Sequence, residues 1–149
     1  MRRSYLLLGA FSVLLGCNAS PPQDCAVANA PKRAIECLDR NAAKSEREQL
    51  LACFPFAEPE RMKGVWVIGL EHSSFVENAK GYSPSLEQAN DVWLYVDDAF
   101  RGKVERQSGP SQWLMVELVG RRAKCDGLWG HMGMSPKAVI VERMLSISG

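Results

Sequence analysis

The stretch KGVWVIGLE, residues 63–71, decides the fold. Side chains alternate along a strand, so Val65, Val67 and Gly69 share one face and Trp66, Ile68 and Leu70 the other. Both faces are apolar, so neither is suited to water. Such a strand belongs in a small closed barrel or in a sheet covered by helices. Three further runs have the same character: VWLYV (92–96), WLMVELV (113–119) and AVIVERMLSI (138–147), all rich in β-branched or aromatic residues. A shorter piece, GKVER (102–106), is expected to supply a fifth strand. The connections 73–91 and 121–136 are then long, and long loops in a small domain are commonly functional.

The residues before Lys63 have helical spacing. Pro31 suits a first helical turn, and Ala34, Ile35, Leu38 and Ala42 follow at helical intervals. The apolar stripe fails over Lys44–Gln49, where Ser45-Glu46-Arg47-Glu48 matches a capping box that starts a second helix. A helical pair over 32–54 is therefore expected, ended by the two prolines of FPFAEPER. Together these segments predict an α+β chain: an N-terminal helical pair, then a small five-strand antiparallel β-barrel, OB-like, over 62–148, all within one domain, 32–149.

Ahead of this body, MRRSYLLLGAFSVLLGC has a basic start, an apolar run from Tyr5 to Leu15 and a small residue before Cys17. That is the plan of a secretory signal, too short for a transmembrane span. Its end, Leu14-Leu15-Gly16-Cys17, resembles the lipobox of bacterial lipoproteins. The resemblance implies lipid attachment at Cys17 after removal of residues 1–16. It also implies a cell-envelope protein held to the membrane by its lipid, with Asn18 favouring the outer membrane, facing the periplasm. RRSYLL partly resembles a twin-arginine signal but lacks its flanking polar residue and Lys, so general secretion is the expected route. Residues 17–31, rich in Ala, Pro and Asn, read as a tether.

Cysteine arithmetic agrees with export. Of five cysteines, Cys25, Cys37, Cys53 and Cys125 remain once Cys17 carries lipid, an even number for an oxidising compartment. Four cysteines allow three pairings. On one straight helix Cys37 and Cys53 would lie roughly 24 Å apart, whereas in a hairpin they could meet. The hairpin favours Cys37–Cys53 with Cys25–Cys125. No Cys-x2-Cys spacing supports zinc.

Charge excludes one class of partner. The chain has 18 Lys+Arg and 17 Asp+Glu. Without Arg2 and Arg3 this becomes 16 against 17, a body with net charge −1 and no electrostatic footprint for nucleic acid. Catalytic motifs are also missing. In Glu71-His72-Ser73-Ser74, neighbours on a strand point to opposite faces and form no nucleophile–base chain by sequence proximity. Asp97-Asp98 reads as a turn. No enzymatic function is expected.

CDGLWGHMGMS (125–135) carries the remaining chemistry. Its Trp-x-x-Met-x-Met spacing resembles the small periplasmic copper chaperones of copper–silver efflux systems. The resemblance implies Trp129 capping a Cu(I) ion ligated by Met132 and Met134, with His131 as the imidazole, although that family's histidine precedes the tryptophan. The alternative is a glycine-rich loop closing the barrel, in which Trp129 and the methionines fill its mouth and His131 bonds a backbone carbonyl. No cofactor is expected unless Cu(I) binds here. The expected function is a non-enzymatic binding or assembly module, or an inhibitor of another envelope protein. Tyr82, Trp129 and His131 are its exposed contact residues.

Overall fold

The structure is a computed structural model that describes Cys25 and residues 30–69, 71–88, 92–108 and 112–149. The signal segment, Cys17 and nearly all of the tether lie outside the described residues. The apolar runs form β1 (Glu60–Gly69), β3 (Val92–Tyr95), β4 (Gln112–Arg122) and β5 (Lys137–Ser148). The remaining strand is β2 (His72–Glu77), formed mostly from the expected 73–91 connection. They close into a barrel in the order β1-β2-β3-β5-β4. All pairings are antiparallel except β3 with β5, which is parallel, so the barrel is mixed rather than wholly antiparallel.

The expected fifth strand, GKVER, instead lies in α3 (Asp98–Ser108). Asp97 is the physical reason: its Oδ1 accepts from the backbone N–H groups of Ala99 (3.0 Å) and Phe100 (3.2 Å), capping the helix. The acidic pair read as a turn is thus a helix start. Phe100 and Val104 of α3 pack onto the barrel core.

Two apolar layers result. Inside the barrel lie Met62, Trp66, Ile68, Phe75, Leu94, Leu114, Val116, Leu118 and Val139. Two polar groups satisfy one another there. Trp66 Nε1–H donates to Ser73 Oγ (3.0 Å), and Ser73 donates to the Leu94 carbonyl (2.7 Å), joining β1, β2 and β3 in the interior. Gly64 allows β1 and β2 to approach, since a Cβ there would strike the Val76 carbonyl.

The second layer covers the outer face of β3 and β5. α1 (Pro31–Arg40) and α2 (Glu46–Cys53) form the expected hairpin and pack Cys37, Leu50, Cys53 and Phe54 against Trp93, Ala138, Ile140 and Trp129. Ser45 caps α2 in the expected reciprocal box with Glu48. The apolar stripe of α1 is narrower than the spacing suggested: Ala34, Cys37 and Leu38 face inward, while Ile35 is 58% exposed. Two disulfides staple this layer. Cys37–Cys53 closes the hairpin (Cα–Cα 5.7 Å), and Cys25–Cys125 ties the tether to the start of the β4–β5 loop (5.5 Å). No helix among the described residues is long and apolar enough to cross a membrane.

Several arginines of the body lie within ion pairs. Arg122 meets Glu60 (2.5 Å) and Glu77 (2.6 Å), Arg121 meets Glu142 (2.8 Å), and Arg61 pairs with Glu117.

Candidate functional site

Two regions bring together side chains with chemical potential: a cleft beside the β1–β2 turn and the loop between β4 and β5. The cleft begins with Gln112 and Trp113, the first residues of β4, opposite Ile68 and Val67 of β1. Trp113 points outward and is 36% exposed. Tyr82, from the segment after β2, stacks on its indole with ring centroids 5.4 Å apart and planes within 13°. Val67, Ile68, Gly69, His72 and Gln112 complete a hollow of about 300 Å³. Its floor is clamped by α3, because Arg101 donates to the carbonyls of Gly69 (3.1 Å) and His72 (3.4 Å).

Gln112 is the unusual group of this cleft; among the described residues Trp129 Nε1, away in the second core, is the other buried side-chain polar atom without a partner. The Gln112 Oε1 and Nε2 are both buried, and neither has a hydrogen-bond partner. Native proteins leave few buried polar atoms in that state, and each such atom calls for an explanation. A carboxamide with a free donor and a free acceptor complements one peptide group. Stacked aromatics beside it supply flat apolar contact at low entropic cost.

His72 borders the same cleft. Burial, with the Arg101 guanidinium nearby, holds its imidazole below the ordinary histidine range. Its Nε2 lies 2.7 Å from Ser74 Oγ. Adjacent residues of this strand do point apart, with Ser73 inside the barrel, but His72 and Ser74 are two apart and share a face. Ser74 is 1% exposed and sits between Val67 and Trp93 in the register. A carbonyl carbon has no path to that hydroxyl, so the pair is a satisfied internal hydrogen bond.

The β4–β5 loop separates the residues that the sequence grouped. Trp129, expected to be exposed, is 3% exposed and lies in the second core, edge-on to Phe54 at 5.0 Å and tilted against Phe56 at 5.8 Å. Hydrogen bonds between Trp129 and Ser135 (2.9 and 3.1 Å) narrow the loop into a finger. Gly130 takes φ +74°, lays its backbone on the Trp93 indole and donates to the Tyr95 hydroxyl (3.0 Å). A side chain at Gly130 would overlap that indole.

Beyond Gly130 the chain turns outward. His131 Nε2 stands 3.5 Å from Glu71 Oε2, linking this loop to the β1–β2 turn rather than to a backbone carbonyl. Met132 adopts φ +54°, and Met132 and Met134 are 84% and 51% exposed, so they do not fill the barrel mouth. The ring that the copper-chaperone resemblance would place over a metal is therefore inside the protein, and the two thioethers are in solvent. Among the described residues no group of three His, Cys, Asp or Glu is placed to hold a metal ion.

The face between β2 and β3 and the β4–β5 loop are where OB-type barrels commonly bind oligonucleotides or oligosaccharides. Here Trp93 and Tyr95 on that face lie under the second core. Of the sequence candidates, Tyr82 and His131 remain accessible and Trp129 does not. Gln112 and Trp113 were missed. They read as the start of an ordinary strand, and the only signal was a polar residue at a position whose neighbours in the register are apolar. No protein-family model, no curated protein and no solved structure matches the chain.

Proposed function

We propose that this is a lipid-anchored envelope lipoprotein whose barrel acts as a non-enzymatic binding module for another envelope protein, of assembly or inhibitor type. One observation carries the reading: the Gln112 carboxamide, buried without a partner in a cleft walled by Tyr82 and Trp113. An incoming segment that offers one peptide C=O and N–H, admitted by a rotation of the Gln112 side chain into the cleft, would satisfy both orphan atoms and stack on the aromatic pair. Aromatic anchors beside a desolvated polar contact are the usual composition of a binding hot spot. The lipobox at residues 14–17 supports the anchor, and the two disulfides agree with an oxidising compartment.

A photo-crosslinker in place of Trp113 tests the reading in intact cells. One specific envelope protein should be captured, and its yield should fall when Gln112→Leu is combined with the probe. Capture that is diffuse, or unaffected by Gln112→Leu, removes the cleft as the contact. For the anchor, Cys17→Ser should yield a chain without lipid that no longer fractionates with membranes; normal membrane fractionation refutes lipidation.

A further inference from the structure

We propose that the finger formed by residues 127–136 seats the protein on the bilayer, with Leu128, Met132 and Met134 resting in the lipid surface that holds the anchor. The proposal rests on the lipoprotein reading above and adds a second contact to it. The finger is a built element. Gly127 N–H donates to the Pro136 carbonyl (2.9 Å), and Trp129 and Ser135 bridge above it. With Trp129 directed into the second core, its neighbour Leu128 points the other way and is 74% exposed. Gly133 packs directly against the Leu128 side chain, which joins Leu128 to the methionine turn. Three exposed apolar side chains therefore occupy one tip, and an exposed apolar cluster of this kind marks an interaction surface.

The disulfide identifies the occupant. Cys25 is bonded to Cys125, at the base of the finger. Cys17 stands eight positions before Cys25, a reach of at most ~28 Å. A body of residues 30–149 is about 35 Å across. A lipid on Cys17 therefore brings the Cys125 side of the molecule to the membrane, and Leu128 follows Cys125 by only three residues. Exposed Lys124 and Lys137 stand at either end of the finger; Asp126 is the single acid between them in sequence, and Glu71 meets His131 at its side. Lysines in that position suit an anionic headgroup layer. The unbranched, polarizable methionines adapt to an irregular apolar surface.

The test is methionine oxidation by peroxide on the mature lipidated protein, reconstituted in vesicles of phosphatidylethanolamine with a minor share of phosphatidylglycerol. The reference is the Cys17→Ser chain, exported as a soluble protein, with half-buried Met115 and Met144 as internal standards. Oxidation follows exposure, so a finger docked about nine-tenths of the time slows Met132 sulfoxide formation ~10-fold. Met115 and Met144 should not change. Leu128→Glu, at a solvent-exposed position, should leave flotation with the vesicles intact and abolish the protection. Flotation with no protection of Met132 overturns the proposal and leaves the anchor standing. Absence of lipid at Cys17, read by mass, overturns both. Protection in native envelopes but not in protein-free vesicles also overturns it, assigning the finger to a protein partner.

Discussion

Replacing Gln112 with leucine should make the free protein more stable. The reasoning starts from two buried amide atoms, Oε1 and Nε2, that lack a partner beside Ile68 and Val67. A buried polar group left unsatisfied costs about 1–3 kcal/mol, and an apolar group of similar volume removes that cost. Leucine is similar to glutamine in bulk, though branched one carbon earlier, and meets apolar walls. For residues 30–149, a melting entropy of about 2.1 cal/mol/K per residue gives roughly 0.25 kcal/mol/K. One kcal/mol then shifts Tm by about 4 °C, so Gln112→Leu should raise it by ~4–12 °C. Scanning calorimetry of the disulfide-bonded protein measures the shift directly. Under the proposed function the same substitution should weaken capture of a partner, because it removes the orphan amide proposed as the contact. A gain in stability with a loss of binding is the expected trade where a site holds a destabilised group. If Tm is unchanged or lower, the carboxamide is already satisfied in the free protein, and the argument that it waits for a ligand fails.

Four other outcomes follow from the geometry. Removing the Cys37–Cys53 bridge as the double alanine variant should cost about 3 kcal/mol, since a loop of this length gains that much unfolded-state entropy when opened; urea unfolding checks it. Gly130→Ala should destabilise by at least ~1 kcal/mol, because the residue combines φ +74° with contact on the Trp93 indole; a Tm equal to wild type contradicts the finger geometry. Ser73→Ala leaves Trp66 Nε1–H and the Leu94 carbonyl without their shared partner, a loss of about 1–3 kcal/mol readable by the same method. His72 gives a pH signature. Its folded-state affinity for a proton is depressed by burial, then by Arg101, so its contribution is present above the unfolded value and lost as pH falls through it. The urea midpoint should therefore decline as pH drops below about 6.5, and His72→Gln should flatten that decline; an unchanged slope in the variant counts against it.

How much of this could be read from the chain depended on whether the cause was local. Pro31, the Ser45–Glu48 box and the alternation in KGVWVIGLE act within a few residues, and they led to the helical pair and four of the strands. The even set of four cysteines, with a hairpin between Cys37 and Cys53, led to the pairing that is observed. Where satisfaction comes from a distance, local pattern misled. HSSFVE falls mostly within the expected 73–91 connection because it lacks an apolar run, yet Ser73 is buried between Trp66 and Leu94, whose polar groups reach it only in the closed barrel. GKVER looked like a strand, but Asp97 caps a helix through it, a signal present in the sequence and read as a turn.

At the candidate sites the division is sharper. The sequence alone determined that residues 125–135 are soft, glycine-rich and joined to a disulfide framework, since those are properties of residue type. Only the tertiary structure decided that Trp129 turns inward against Phe54 while Leu128, Met132 and Met134 turn outward, and that Gln112 lies beside Tyr82 and Trp113. Periodicity identifies which residues share a face. Which face is covered depends on elements packed from elsewhere in the chain, here the α1–α2 pair over β3 and β5 and the Tyr82 segment over β4. Burial is a property of the assembled layers, and the proposals at both sites rest on burial.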